Sequence, residues 1–105
     1  MTTRAALLQL NSSDDPAANL PNTLALLRDA HGQGAQIALT PEVTNCVSTS
    51  RKGQNAVLQT EDADQTLAAI RALAAELGFW VLIGSLALKT DDPDGRFANR
   101  SFLIG

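Results

Sequence analysis

The stretch AQIALTPE, residues 35–42, decides the fold because it joins an apolar strand to a carboxylate at the strand's end. In an open α/β sheet, ligands and catalytic groups gather beyond the carboxyl ends of the strands. Pro41 fixes its own φ and biases Thr40 toward extended geometry, so the chain leaves the strand in a restricted direction. The local pattern alone favours a solvated loop carboxylate at Glu42, but the rest of the chain shifts the balance toward a site.

On both sides of this strand, apolar stretches typical of strands alternate with stretches in which apolar residues recur at helical spacing. Leucines recur at helical spacing between residues 20 and 27 and again between residues 67 and 77, and glycines at 32, 34 and 78 suit left-handed helix ends. The predicted elements are a strand over 5–10, a helix ending at Gly32, a strand over 35–40, a helix ending at Gly78, and strands over 79–88 and 97–104.

The order βαβαββ places the chain in the α/β class. Two strand-helix-strand steps predict parallel pairing with right-handed crossovers, and the turn formers over 91–95 predict an antiparallel hairpin at the end. Residues 43–61 form a long polar stretch without a clear period, which we interpret as a loop that is either functional or incompletely folded.

Composition and charge narrow the function classes. With 105 residues, 45% of them hydrophobic, the chain reads as one small globular unit. A net charge of −3 and scattered basic residues argue against nucleic acid and favour a small-molecule or protein partner. The N-terminus, Met1 to Arg4, starts neither a signal peptide nor a membrane span, so we expect a cytoplasmic location, and the single cysteine fits a reducing compartment.

Several weaker signals receive no role. His31 has no partner of a catalytic triad, and the aspartates over 91–94 are explained by a turn rather than by a cation site. The glycines at 32 and 34 follow a helix, whereas a dinucleotide-binding loop lies between a strand and a helix N-terminus. No metal and no cofactor are therefore implied.

Taken in order, the chain's motifs resemble the N-terminal part of the nitrilase superfamily, the carbon–nitrogen hydrolases. The resemblance rests on ALLQL at 6–10, LTPE at 39–42, VLIGS at 81–85 and ANRS at 98–101, together with helices ending before residues 35 and 78. It implies one half of an α-β-β-α sandwich in which two sheets pack face to face with helices outside. It also implies homo-oligomers, usually formed through the helical face.

The resemblance implies chemistry as well. Members of the family cleave amides or nitriles with a Glu-Lys-Cys triad, and their glutamate follows the second strand in a Pro-Glu pair, which matches Pro41-Glu42. Glu42 would then be the general base, accepting the cysteine proton and later activating water, and its pKa would best be raised by burial. The family's lysine and nucleophilic cysteine come later than Gly105, so residues 1–105 are expected to be one truncated, partial domain, inactive by itself.

Three residues after Glu42 are candidates for substrate contact. Thr44, Asn45 and Cys46 leave the strand end beside Glu42 and could hydrogen-bond a small polar amide, although packing within the loop explains them equally well. Cys46 does not match the position of the family's nucleophile, and we expect an unreactive, partly buried thiol there. The alternative function is a non-catalytic α/β module, or a vestigial fragment, whose exposed faces bind another protein.

Overall fold

A computed structural model describes residues 4–48 and 50–105. Residues 1–3, part of the evidence against a signal peptide, and Thr49 in the polar stretch lie outside the described residues. In chain order the elements are β1 Ala5–Leu7, α1 Pro16–Gly32, β2 Ile37–Thr40, α2 Arg51–Val57, α3 Gln65–Leu77, β3 Trp80–Lys89 and β4 Phe97–Ile104.

The strands form one sheet in the order β1-β2-β3-β4. β1 pairs with β2 and β2 with β3 in parallel, while β3 and β4 form an antiparallel hairpin. The predicted pairing is therefore confirmed. β1 is shorter than predicted, because it ends at Leu7 instead of residue 10. Its last bond to β2 runs from Leu8 N–H to the Leu39 carbonyl oxygen. β2 itself ends at Thr40, so within residues 4–48 and 50–105 no partner strand continues beyond that point.

Both long helices end where the sequence indicates, and each begins directly after an aspartate. Asp15 and Asp64 are extended N-cap residues whose carboxylates accept hydrogen bonds from Ala17 N–H and Leu67 N–H, which satisfies orphan donors of the first turns. α3 ends at Gly78, which adopts the left-handed conformation with φ +70°, as predicted for a glycine cap.

Helix α2 was not predicted from the sequence, because residues 43–61 were interpreted as loop. It contains no buried residue, so it carries no apolar stripe from which a helical period could be recognised. Its N-cap is Ser50, whose hydroxyl oxygen accepts from Gly53 N–H at 3.0 Å. A short capped polar helix of this kind is invisible to a search for hydrophobic periodicity.

Helices α1 and α3 cover one face of the sheet. One row of paired residues, Ala6, Ala38, Val81 and Ile104, contacts the main core together with residues of both helices. Leu27 of α1 and Ile70 of α3 are both fully buried there. Placing both helices on the same face is what right-handed crossovers between neighbouring parallel strands require.

A β-bulge interrupts β3 between Ile83 and Leu86. Ile83 pairs with Phe102 and Leu86 pairs with Arg100, so β3 has one more residue than β4 across this step. The extra residue changes which positions face the helices. Odd-numbered residues up to Ile83 lie in the main core before the bulge, whereas the even-numbered Leu86 and Leu88 lie there after it.

The opposite face of the sheet carries a second apolar row. Leu7, Leu39, Leu82 and Leu103 are paired across the four strands and point away from the helices. Leu7 is 80% exposed and Leu103 is 62% exposed. No helix within residues 4–48 and 50–105 has the length and apolar character needed to cross a membrane.

Candidate active site

Glu42 stands directly after β2, on a segment we call the Glu42 loop, residues 41–48. β2 ends opposite Ile83, whereas β3 continues to Lys89, so on the edge of β3 away from β4 the second half of the strand runs beside this loop. The Glu42 side chain is exposed to solvent in this chain. The position at the carboxyl end of a parallel strand is the one predicted from the sequence.

The first turn of the loop lies directly against β3 at Gly84. A Cβ atom placed on Gly84 would overlap the Thr40 carbonyl oxygen and would lie 2.7 Å from the carbonyl carbon of Pro41. Atoms cannot approach so closely, so only glycine fits. A glycine inside a strand therefore marks a close approach of another backbone, here the backbone that carries Glu42.

Ser85 then holds the loop from the strand side. Its hydroxyl oxygen accepts a hydrogen bond from Val43 N–H at 2.7 Å, and its carbonyl oxygen accepts one from Thr44 N–H at 3.0 Å. The two N–H groups that follow Glu42 are thus both bound to one residue of β3.

Thr44 and Asn45 point inward. Thr44 is fully buried, and its hydroxyl lies 2.7 Å from the Pro41 carbonyl oxygen, to which it can donate. Asn45 is 1% exposed, and its amide forms two hydrogen bonds with Ala87: Nδ2 donates to the carbonyl oxygen and Oδ1 accepts from the N–H, each at 2.8 Å. The polar groups of both side chains are thus engaged with the protein itself.

Cys46 is also buried, at 1% exposure, and its thiol donates to the Asp14 carbonyl oxygen at 3.4 Å. Burial raises the pKa of the Cys46 thiol, and the nearby charges of Asp14 and Asp15 raise it further. A buried thiol with a raised pKa holds little thiolate, which is the reactive form. The thiol is thus buried more deeply than expected, and its lack of reactivity stays a prediction.

Val43 has an unusual backbone conformation. Its φ is +46°, and among residues 4–48 and 50–105 it is the one residue other than glycine with a positive φ. A β-branched residue in the left-handed region is strained, and such strain persists only where the surroundings hold it. The strained residue is the immediate neighbour of Glu42.

Asp64, the N-cap of α3, also interacts with the loop. Burial raises the pKa of the Asp64 carboxyl, although hydrogen bonds from Leu67, Asn45 and Thr66 act in the opposite direction. Asp64 is therefore the buried cap of α3, and the Asn45 amide acts to lower its pKa. Asn19 of α1 supports the loop from another side, since its Nδ2 donates to the Asn45 carbonyl oxygen at 2.9 Å.

Two lysines lie away from this arrangement of loop bonds. Lys52 is exposed on α2, and Lys89 ends β3, where its backbone N–H donates to the Gln59 carbonyl oxygen. Within residues 4–48 and 50–105, the salt bridges join Arg28 to Glu76, Arg96 to Asp94 and Arg100 to Glu61, and none includes Glu42.

Gly84 and Ser85 were not recognised from the sequence as part of the site. Both lie inside an apolar run that reads as a continuous strand. The signal that could have found them is the glycine itself, because an isolated glycine in a strand suggests a bulge or a close backbone approach. Both features are present here.

The family of the chain follows from comparison with known proteins. The family model for carbon-nitrogen hydrolases matches residues 4–105. Since this match covers nearly the whole chain, the chain belongs to the carbon-nitrogen hydrolase family, as the resemblance in its motifs implied. Its four-stranded sheet and helices form part of the nitrilase-superfamily fold.

Similar proteins agree with this assignment. The hydrolase Rv0480c of Mycobacterium tuberculosis strain H37Rv is 35% identical over 103 residues, a match that covers 97% of this chain and 34% of that protein. This chain thus spans about a third of the length of the curated relative.

Solved structures show the same fold. An amidase from Nesterenkonia sp. superimposes with a TM-score of 0.72 at 27% identity, covering 96% of this chain and 37% of that one. A mutant of the Nesterenkonia sp. AN1 amidase in complex with butyramide superimposes with a TM-score of 0.74 at 26% identity, covering 96% of this chain and 38% of that one. Another mutant of that amidase carries acrylamide added to its active-site cysteine.

Proposed function

We propose that this chain supplies the general-base glutamate of an enzyme that hydrolyses small amides, with nitriles as the neighbouring substrate class. Glu42 would take the proton of a nucleophilic cysteine as that cysteine attacks the carbonyl carbon. As the tetrahedral intermediate collapses, Glu42 would pass this proton to the leaving nitrogen, so that the C–N bond breaks, ammonia departs and a thioester remains. The Glu42 carboxylate would then activate the water that releases the acyl group from the thioester. A lysine would stabilise the oxyanion of the tetrahedral intermediate.

The observation that carries this proposal is the construction of the Glu42 loop. An exposed carboxylate on an ordinary surface loop needs no fixed backbone. Here the adjoining backbone is fitted against Gly84, bonded to Ser85 and strained at Val43. Such rigid placement is typical of a group that must meet a reacting atom within a narrow range of distance.

We place the lysine and the nucleophilic cysteine outside residues 1–105. Cys46 is unsuited to the nucleophile's role because its thiol is buried and its pKa is raised. The relatives are about three times as long as this chain, and an active-site cysteine is present in the Nesterenkonia amidase. The 105-residue chain alone is then expected to be inactive, and the cytoplasm remains the proposed location.

Substrate contact by Thr44, Asn45 and Cys46 stays a prediction. Their burial and their bonds to other parts of the chain favour a supporting role for the side chains in the loop. Substrate selection would then fall to groups that remain exposed near Glu42.

The first experiment reads the coding sequence downstream of the Gly105 codon and expresses the complete reading frame. Ammonia release from a panel of short aliphatic amides is measured for the wild type and for Glu42→Gln, which keeps the size of the side chain but cannot accept the proton. We expect turnover to fall by at least about 100-fold in Glu42→Gln, since general-base catalysis contributes roughly 100- to 10,000-fold.

The matched control is Glu76→Gln, at an exposed glutamate of α3 that pairs with Arg28. It should leave turnover unchanged. A wild type that releases no ammonia from any amide, or a Glu42→Gln variant as active as the wild type, would sink the proposal.

A second candidate, protein binding without catalysis, is favoured by the exposed apolar row on the sheet. Leu7, Leu103 and Trp80 are all at least half exposed on strands of this sheet. Apolar patches of this kind mark association surfaces. In the sandwich of the family this face would be covered by a second sheet, and self-association is proposed under either function. Light scattering of the complete protein measures the oligomeric state.

A further inference from the structure

We infer that Asn45 is a positioning residue for Glu42: its buried amide ties the Glu42 loop to β3 and so fixes where the carboxylate stands. This inference rests on the proposed function, because it names a residue that acts through Glu42. It concerns the side chain's bonds to the protein and requires no contact with substrate.

The Asn45 amide takes the place of a missing strand. β2 ends opposite Ile83, so the edge of β3 beyond that point has no neighbouring strand on this side within the described part of the chain. Ala87 nevertheless has both backbone groups satisfied there, because Asn45 donates to its carbonyl oxygen and accepts from its N–H. A paired donor and acceptor on one side chain imitate the two bonds that a strand residue would exchange.

The connection from Asn45 to Glu42 is short and bonded at every step. Thr44 N–H is bound to the Ser85 carbonyl oxygen, and Val43 N–H is bound to the Ser85 hydroxyl. Asn45 is the last fixed point of this series, and it forms hydrogen bonds to β3 through its side chain. Removing the amide leaves both buried groups of Ala87 without a partner, so the loop must lift or admit water.

Only an amide meets the demands of this position. The acceptor for Ala87 N–H and the donor for its carbonyl oxygen use one side of the group. The Asn45 amide also lowers the pKa of Asp64, which favours the charged form of that carboxyl. Aspartate has the same shape but, when ionised, donates nothing and places a second negative charge beside Asp64.

Strain at Val43 explains why the hydrogen bonds between Asn45 and Ala87 affect the position of Glu42 as well as that of the loop. With φ at +46°, Val43 sits in a conformation it would leave if the bonds on either side were released. Relaxation of this residue would turn the adjoining peptide and swing the Glu42 side chain away. A shift of about 1 Å in a reacting group can cost roughly 100-fold in rate.

The test uses the complete protein and the variants Asn45→Asp and Asn45→Ala, with Ile70→Val as a control for lost stability in the core, far along the chain from the loop. At neutral pH we expect kcat for a small amide to fall by about 100-fold in both Asn45 variants, with KM unchanged. Circular dichroism confirms that each variant is folded. Ile70→Val should keep the wild-type kcat.

The pH profile supplies a readout that general loss of stability does not produce. The titratable group that faces residue 45 among the described residues is Asp64 of α3, while Asp14 and Asp15 lie against the neighbouring Cys46. In Asn45→Asp, a protonated carboxyl group can donate to the Ala87 carbonyl oxygen, as the amide does. The kcat of Asn45→Asp, divided by that of the wild type at the same pH, should therefore rise as the pH falls.

The outcomes distinguish the positioning role of Asn45 from the proposed amide hydrolysis. If the wild type hydrolyses amides and both Asn45 variants match Ile70→Val in kcat, or if the Asn45→Asp ratio is flat with pH, the positioning role is overturned and the proposed function stands. If the wild type hydrolyses no amide, the proposed function fails and the positioning role fails with it. A kcat loss with unchanged KM and an acid-side recovery supports both.

Discussion

Two loops flank the second half of β3, and they are held in different ways. The Glu42 loop is bonded to residues that are 42 positions away in sequence, Ser85 and Ala87. In the hairpin loop, residues 90–96, the Thr90 hydroxyl donates to the Arg96 carbonyl oxygen at 2.7 Å, and Asp94 N–H donates to the Asp92 carboxylate at 2.8 Å. Its long-range bonds come from one exposed side chain, Arg51, which donates to the carbonyl oxygens of Asp94 and Gly95. Local bonds give a loop its shape, whereas distant bonds give it a position relative to the rest of the molecule.

The largest expected effect comes from Gly84→Ala, which attacks the distant contacts directly. The new methyl group would overlap the Thr40 and Pro41 backbone, so either the sheet or the Glu42 loop must move. We expect the free energy of unfolding to fall by about 1–3 kcal/mol. Amide turnover by the complete protein should fall by roughly 100-fold.

Urea unfolding and steady-state kinetics measure these two quantities for Gly84→Ala. The matched control is Gly32→Ala at the end of α1, where a Cβ would meet no atom within 4 Å. This control should be as stable as the wild type or slightly more stable. Full turnover in Gly84→Ala would show that the close approach does not place Glu42.

A smaller effect is expected from Gly95→Ala in the hairpin loop. Gly95 has φ +72°, so an alanine there would be strained, and the expected loss of stability is about 1–2 kcal/mol. Turnover should not change, because the hairpin loop carries no proposed catalytic group. A loss of turnover larger than that of Gly84→Ala would reverse the contrast between the two loops.

The variant Asp64→Asn should change how the free energy of unfolding depends on pH. The folded-state pKa of Asp64 is raised above its ordinary value of 3.8, so the folded protein binds more protons than the unfolded chain as the pH rises from that value through the raised pKa. Stability attributable to Asp64 is therefore greatest in acid and decreases with rising pH in that window. Asparagine caps helices about as well as aspartate, so Asp64→Asn should remove this decrease without unfolding α3.

The measurement for Asp64→Asn is the difference in unfolding free energy between variant and wild type across acid to neutral pH. This difference should move in favour of the variant as the pH rises. A difference that does not change with pH would contradict the assigned direction of the pKa shift.

The smallest effect belongs to Asp94→Ala. Its carboxylate is 75% exposed and lies 3.9 Å from the Arg96 guanidinium, and such exposed pairs contribute less than about 1 kcal/mol. Thermal unfolding should therefore barely change, and raising the salt concentration should change wild type and variant alike.

The contrast between the Glu42 loop and the hairpin loop also explains which features could be predicted from the sequence. The hairpin loop and the ends of α1 and α3 depend on nearby residues such as Asp92, Gly95 and Gly78, so composition and spacing reveal them. The position of Glu42 follows from the alternation of strands and helices. The tie between Asn45 and Ala87 joins residues far apart in sequence, and neither residue carries a local signal of its partner.

Helix α2 and the pairing of Gly84 with the Glu42 loop were missed for related reasons. The helix buries no residue, so hydrophobic periodicity cannot detect it. Gly84 depends on how closely two backbone segments pack, and this distance is a property of the folded sheet.

The bulge in β3 makes the effect of a deletion depend on where in the strand the residue is lost. Deleting Ser85 would restore an even ladder and keep Leu86 and Leu88 on the core face, but it would remove the hydroxyl that accepts from Val43 N–H. Deleting Ala87 would instead turn Leu88, which lies in the main core, to the opposite face. Natural insertions and deletions among relatives should therefore avoid residues 84–88 and collect in the hairpin loop.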